Sequence, residues 1–265
     1  LSSAFLPGWF WQGWERMIGS ERGDMEKNLK AYLHKMAEIA ADVCFPRRCP
    51  VCGKVIEYSG QLICPECVTS LSPVRQPACQ KCGKEVEGER MEYCFDCNRH
   101  PKTFERCFSL LNYNETARRS MAAIKYQNRR EYLDFYGEAL CLRFGNVIKS
   151  LHPDGLVPVP VHPSRKRIRG FNQAEVLSRR ISARLEIPVY PDMLKRIKKT
   201  MPQKELNPSE RFHNLEHAFG PGRSYERMNT VILVDDIYTT GSTLEACARV
   251  LKKMGVKKVY GVVLC

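Results

Sequence analysis

The stretch Val231-Ile232-Leu233-Val234-Asp235-Asp236-Ile237-Tyr238-Thr239-Thr240-Gly241-Ser242-Thr243 decides the reading of this chain. Four consecutive apolar residues describe a strand buried on both faces, as in a parallel sheet covered by helices. Two adjacent carboxylates end the strand, and a hydroxyl-rich loop with one glycine follows. Beyond it, Leu244, Cys247, Ala248, Leu251 and Met254 recur at helical spacing. The loop therefore opens a helix N-terminus, where unpaired amides and the helix dipole favour a phosphate. Asp235 and Asp236, at the carboxyl end of the strand, suit sugar hydroxyls or the water shell of Mg²⁺. A sugar phosphate satisfies both halves at once. The plain alternative is a βα turn whose acids merely cap the helix, yet a turn requires neither two acids nor three threonines.

All thirteen positions resemble the phosphoribosyl-diphosphate (PRPP) signature of type I phosphoribosyltransferases. The resemblance implies that Asp235 and Asp236 touch the ribose 2′- and 3′-hydroxyls. It implies equally that Thr239, Thr240, Gly241, Ser242 and Thr243 cradle the 5′-phosphate.

The 265 residues leave room for about two domains at roughly 150 residues each. A net charge of +13 favours polyanions, whether nucleic acid or phosphorylated metabolites. No apolar run approaches the ~18 residues needed to span a bilayer. The aromatic opening Trp9, Phe10, Trp11, Trp14 has neither a basic n-region nor a small-residue cleavage site, so no signal peptide is expected in it. A cytoplasmic protein without stable membrane insertion is expected. Met25 begins an amphipathic helix with Leu29, Tyr32, Leu33, Met36, Ile39, Ala40 and Val43 on one face. Residues 1–24 are read as an upstream extension that a native start at Met25 would leave untranslated.

Cysteine spacing marks a second module. Cys49-x2-Cys52 and Cys64-x2-Cys67 recur thirty residues later as Cys79-x2-Cys82 and Cys94-x2-Cys97. Each Cys-x2-Cys forms a knuckle presenting two thiolates, and two knuckles close a tetrahedral structural Zn²⁺ site. Gly53 and Gly83 follow the second cysteine of each unit, where a knuckle needs a left-handed residue. Two Cys₄ zinc sites are expected, with metal binding supplying the folding energy that so few apolar residues cannot. Redox-active pairs and an Fe–S cluster compete with this reading. Spacing alone leaves open whether ligands pair within each unit or between units.

Between the modules and the acidic motif, a strand over 107–112, helices over 115–126 and 132–148, and a strand over 156–161 are expected. The last runs into the basic, glycine-containing loop His162-Pro163-Ser164-Arg165-Lys166-Arg167-Ile168-Arg169-Gly170, and a helix carrying Ala174, Leu177, Ile181 and Leu185 follows. Residues 163–211 hold thirteen Lys/Arg against five Asp/Glu, so a surplus of eight of the chain's +13 sits in under a fifth of its length. Among the aromatics, Phe104, Phe108, Tyr113 or Tyr126 could stack on a base, core packing being the default for each. Lys125-Tyr126, near a helix end, is placed to approach a ligand.

Taken together, Cys-Pro-x-Cys-Gly, then Val157-Pro158-Val159-Pro160-x-His162-Pro163-Ser164-Arg165-x-Arg167-x-Arg169-Gly170-Phe171-Asn172-Gln173, resemble the ComF family. Lys198-x-Thr200-x-Pro202-Gln203 and Glu210-Arg211-x-x-Asn214-Leu215 add to it. The resemblance covers residues 44–265. It implies an α/β fold with a mostly parallel open sheet of the type I phosphoribosyltransferase kind, preceded by a small zinc module. It divides the chain into an extension and helix at 1–43, a tandem Cys₄ module at 44–100 and a phosphoribosyltransferase-like domain at 101–265. Relatives often carry a partial second cysteine unit, so the second zinc here rests on spacing. Val159 to Arg169 would form the pyrophosphate loop and residues 195–211 the flexible loop. Arg165, Arg169, Lys198, Lys199 and Lys204 would then neutralise pyrophosphate together with Mg²⁺. The implied role is DNA uptake in natural competence, with single-stranded DNA and a DNA-uptake helicase or other competence proteins as partners. The alternative is an active phosphoribosyltransferase of nucleotide salvage, transferring ribose 5-phosphate to a base or amine.

Overall fold

The computed structural model describes residues 46–56, 60–88, 91–197, 218–223 and 227–265. The expected N-terminal extension and amphipathic helix, with most of the flexible loop, lie outside the described residues. Arg48–Cys265 forms one compact unit. Two short helices, α1 (Pro65–Val68) and α2 (Phe95–Arg99), belong to the cysteine-rich region. Then come β1 (Cys107–Ser109), α3 (Glu115–Tyr126), α4 (Tyr132–Ser150), β2 (Gly155–Pro158), α5 (Pro163–Arg169) and α6 (Gln173–Leu185). A small antiparallel pair, β3 (Leu194–Arg196) and β4 (Phe219–Pro221), precedes β5 (Thr230–Asp235), α7 (Ser242–Lys253) and β6 (Lys258–Val263).

The main sheet is fully parallel, with strand order β1-β6-β5-β2. Every residue of β5 is buried, as the unbroken apolar run requires. Alternate side chains separate into two layers. Val231 and Leu233 pack with Leu244, Cys247, Ala248 and Leu251 of α7, and Cys79, Cys82 and Cys97 join the same cluster. Ile232 and Val234 pack instead with Leu133, Tyr136 and Leu140 of α4 and Leu177 and Ile181 of α6.

The strand order places the site. Outside β2, Leu156 pairs in parallel with Val189, the segment reached through α6. On its inner edge β2 pairs with β5, whose own crossover leads the opposite way to β6. Connections leaving β2 and β5 thus diverge, and a crevice opens between their carboxyl ends.

Three expectations on local structure change. The strand expected over 156–161 ends at Pro158. The strand from Cys107 ends at Ser109, and Leu111 beyond it bridges Pro73 of the cysteine-rich region. The basic run is itself helical rather than a loop. His162 accepts the Ser164 N–H at 3.2 Å as N-cap, Pro163 fits the first turn, and Gly170 at φ 82° ends it.

Candidate functional site

Asp235 is the last residue of β5 and Asp236 the first of the loop; both are buried, at 7% and 6% exposure. Asp235 Oδ1 accepts the Asp236 N–H at 2.9 Å. Lys125 Nζ, from the last turn of α3, ion-pairs with Asp236 Oδ2. Burial works against ionising Asp236, but the Lys125 charge outweighs it and holds this carboxyl below its ordinary value. Burial, and then the Asp236 charge, push Asp235 well above the carboxylate range. Burial likewise opposes the Lys125 ammonium, and Asp236 overrides it to raise the amine. The two carboxyls are therefore pushed in opposite directions, Asp236 toward its anion and Asp235 toward its protonated form.

Gln173, at the start of α6, hydrogen-bonds Asp236 and accepts from the Arg169 guanidinium. Arg169 also lies 5.9 Å from the ring centre of Tyr126, which is 74% exposed. Arg165 is exposed on α5 and close enough to Arg169 for their charges to interact. The crevice thus gathers Asp235, Asp236, Lys125, Gln173, Arg169 and Tyr126 from four segments. Phe104 and Phe108 belong to the core, at 0% and 5% exposure, and are not stacking candidates. Lys198, Lys199 and Lys204 lie outside the described residues.

The loop after Asp236 returns to the sheet edge, where Leu264 N–H and Cys265 N–H donate to Asp236 O at 3.1 and 3.2 Å. Thr240 Oγ1 and Ser242 Oγ hydrogen-bond at 2.7 Å. Gly241 occupies the helix N-cap at φ 72°, and a Cβ there would collide with the Tyr238 hydroxyl, so only glycine fits. It makes no side-chain cap to the first turn of α7. Thr239, Thr240, Gly241, Ser242 and Thr243 thus surround a helix N-terminus suited to an anion.

The cysteines resolve into two groups, Cys49, Cys52, Cys64, Cys67 and Cys79, Cys82, Cys94, Cys97, each with sulfurs within 4.8 Å of one another. Pairing is therefore within each unit. The repeat is structural as well as sequential. Gly53 N–H donates to Cys49 O, and Gly83 N–H to Cys79 O, both at 2.9 Å. Cys64 and Cys94 each open a short helix. Burial opposes the thiolate at Cys49 and Cys79, but backbone amides outweigh it and bring both down to about 7. Burial and then the neighbouring Cys49 and Cys52 push Cys64 up to about 11 and Cys67 to about 12. Such crowding of sulfurs suits a dication, and four sulfur donors in a closed set fit structural Zn²⁺. No helix among the described residues is long and apolar enough to cross a membrane.

The sequence offered no specific sign that Lys125 would meet Asp236. Its only signal was a lysine at the end of an amphipathic helix. Gln173 stood in a quoted motif without an assigned role.

Comparison with known proteins agrees with both parts. Residues 40–98 match the double zinc ribbon domain and residues 171–265 the phosphoribosyl transferase domain. Competence protein F of Haemophilus influenzae is 29% identical over 221 residues, covering 81% of this chain and 95% of that protein. DNA utilization protein YhgH of Escherichia coli K12 is 26% identical, covering 83% and 97%. Competence protein ComFC of Bacillus subtilis is 25% identical, covering 84% and 91%. With a double zinc ribbon joined to a phosphoribosyltransferase domain, and likeness to these proteins over most of its length, the chain belongs to the ComF family.

Proposed function

We propose that this chain binds PRPP with Mg²⁺ in the crevice between β2 and β5 and serves the handling of DNA taken up in natural competence. The observation that carries the reading is the buried Asp235–Asp236–Lys125 constellation beside a hydroxyl-rich loop at the α7 N-terminus. Asp236, held ionised by Lys125, accepts one ribose hydroxyl. Asp235, inclined to keep its proton, exchanges a hydrogen bond with the other. The loop amides and the Thr239, Thr240, Ser242 and Thr243 hydroxyls take the 5′-phosphate. Arg165 and Arg169 face the diphosphate, where a planar guanidinium can form paired hydrogen bonds. Mg²⁺ fits as a partner of the diphosphate: it keeps much of its water and asks for one or two carboxylates, of which Asp236, held ionised, can supply one.

The competence setting is supported by the names Competence protein F and ComFC, and DNA utilization by the name YhgH. The exposed α5 cations Arg165, Lys166 and Arg167, beside exposed Ile168 and Tyr126, support sequence-tolerant contact with single-stranded DNA. A helicase or another competence protein would use the same DNA-handling setting. Tyr126 favours a second reading: exposed beside Arg169 at the crevice, it offers a face to an acceptor base, as salvage chemistry needs.

Calorimetry with PRPP and Mg²⁺ tests the first reading. Saturable binding that vanishes in the Asp235→Asn/Asp236→Asn variant is expected; no heat from the native protein, or retained binding in the variant, refutes it. Base-dependent release of pyrophosphate would establish turnover.

A further inference from the structure

The phosphate loop does not stand alone: the second cysteine unit is built against its back. Lys84, two residues after Cys82, donates to Thr239 O at 2.7 Å, and Lys102 donates to Thr240 O at 3.3 Å. The same Lys84 ammonium lies 5.3 Å from the Tyr238 ring centre, and Phe104 meets that ring edge-on at 6.4 Å. Thr103 donates to the buried Glu245 of α7 from its N–H at 2.7 Å and its hydroxyl at 2.5 Å. The unit is itself fixed to the sheet. Cys107 N–H donates to Lys81 O at 2.7 Å, and Ser109 Oγ donates to Cys82 O at 3.0 Å. Gly83 passes so close to β1 that a Cβ would sit 2.5 Å from Cys107 O.

A trans peptide points its N–H opposite its C=O. With Thr239 O turned to Lys84 and Thr240 O turned to Lys102, the Thr240 and Gly241 amides face away from the ribbon, toward the cradle. Neither amide donates to a protein acceptor among the described residues. The geometry points to Lys84 and Lys102 as positioning residues, which orient two loop amides toward the 5′-phosphate and place positive charge behind them. This rests on the PRPP reading above. It gives the second cysteine unit a part in ligand binding that the first, which approaches α4 near Tyr132, does not share.

The test compares Lys84→Met, Lys102→Met, their double variant and Lys84→Arg in the zinc-loaded full chain. Probes are PRPP with Mg²⁺, ribose 5-phosphate and inorganic pyrophosphate. Losing a hydrogen bond to a charged group should weaken PRPP and ribose 5-phosphate by roughly tenfold or more per lysine. Pyrophosphate, which lacks the 5′-phosphate, should bind within about twofold of native, and Lys84→Arg should recover part of the loss. Zinc content and melting temperature measured alongside expose a merely structural defect, which would weaken all three ligands together. Equal binding of ribose 5-phosphate by native and double variant overturns the inference. Native protein that binds neither sugar phosphate refutes the PRPP reading instead. In that event hydrogen exchange of the ligand-free proteins decides the inference. Faster exchange at Thr240 and Gly241 in the double variant supports the positioning role, and unchanged exchange overturns it.

Discussion

Replacing Lys125 with methionine would strip Asp236 of its counter-charge while keeping most of the side-chain volume. The lysine side chain is 18% exposed and that of Asp236 9%, so water can do little to compensate. A buried carboxylate left without its counter-charge escapes its predicament by taking a proton. At pH 7 that proton costs about 1.4 kcal/mol for each unit between 7 and the ordinary carboxyl value of 3.8, or about 4 kcal/mol. This sets a ceiling, because an unpaired anion would persist only if it were cheaper. Breaking one side of a buried pair costs about 3–5 kcal/mol in general, which agrees. The loss should shrink as pH falls, by about 1.4 kcal/mol per unit, and nearly vanish by pH 4.

Urea unfolding of native and Lys125→Met protein at pH 7, 5.5 and 4, at fixed zinc, measures this directly. The Lys125→Met/Asp236→Asn double variant should recover most of the stability at pH 7, since no charge is then stranded. A cost under about 1 kcal/mol at pH 7, or one that does not change with pH, refutes the assignment of the pair as a buried, mutually dependent unit.

Asp235 should behave in the opposite sense. Its folded value is raised, so the folded state holds a proton that the unfolded state has released, and stability falls as pH rises through that window. Asp235→Asn should therefore unfold at higher urea than native at pH 7, by about 1 kcal/mol, while losing PRPP; lower stability would refute this. Metal analysis of the native chain should find two zinc ions. Cys82→Ser should weaken ribose 5-phosphate binding more than Cys52→Ser does, because among the described residues it is the second unit that touches the phosphate loop; equal losses would sink the distinction. For single-stranded DNA, Arg165→Ala/Arg167→Ala should flatten the plot of log affinity against log salt by about one to two units, and an unchanged slope would remove α5 from the interface.

What was legible in the sequence was whatever repeats or alternates locally. The apolar run ending in Asp235 announced a covered parallel strand, and the thirty-residue offset announced two metal units. Contacts between distant segments were not legible. Lys125 stands 111 residues before Asp236 in the chain (236 minus 125), and nothing in the spacing of α3 says which carboxylate it meets. The helical form of Pro163–Arg169 was hidden by its charge, which reads as a solvated loop; the cap at His162 and the stop at Gly170 were present but outweighed. The docking of the second cysteine unit was hidden for another reason. Lys84 and Lys102 look like ordinary surface cations until the loop carbonyls they meet are in place.

The position of the acids at the end of β5 explains why both layers of the fold reach them. One face of that strand draws in α4 and α6, and with them the helical layer whose α3 carries Lys125 to Asp236. The other face draws in α7 and the second cysteine unit, whose Lys84 holds the loop one turn further on. A ligand spanning acids and loop would therefore be gripped from both faces of the sheet at this strand end. If so, a core change within β5 should be felt at the site unequally. Ile232→Val, on the helical side, should cost about 1 kcal/mol of stability and disturb the Lys125–Asp236 pair. Leu233→Ala, on the cysteine side, should cost about 2–5 kcal/mol and weaken ribose 5-phosphate binding at the loop. Comparing the pH dependence of unfolding with ribose 5-phosphate affinity in the two variants separates the effects. Both variants moving both readouts equally would mean that the strand transmits strain as one body and that the two layers do not act separately.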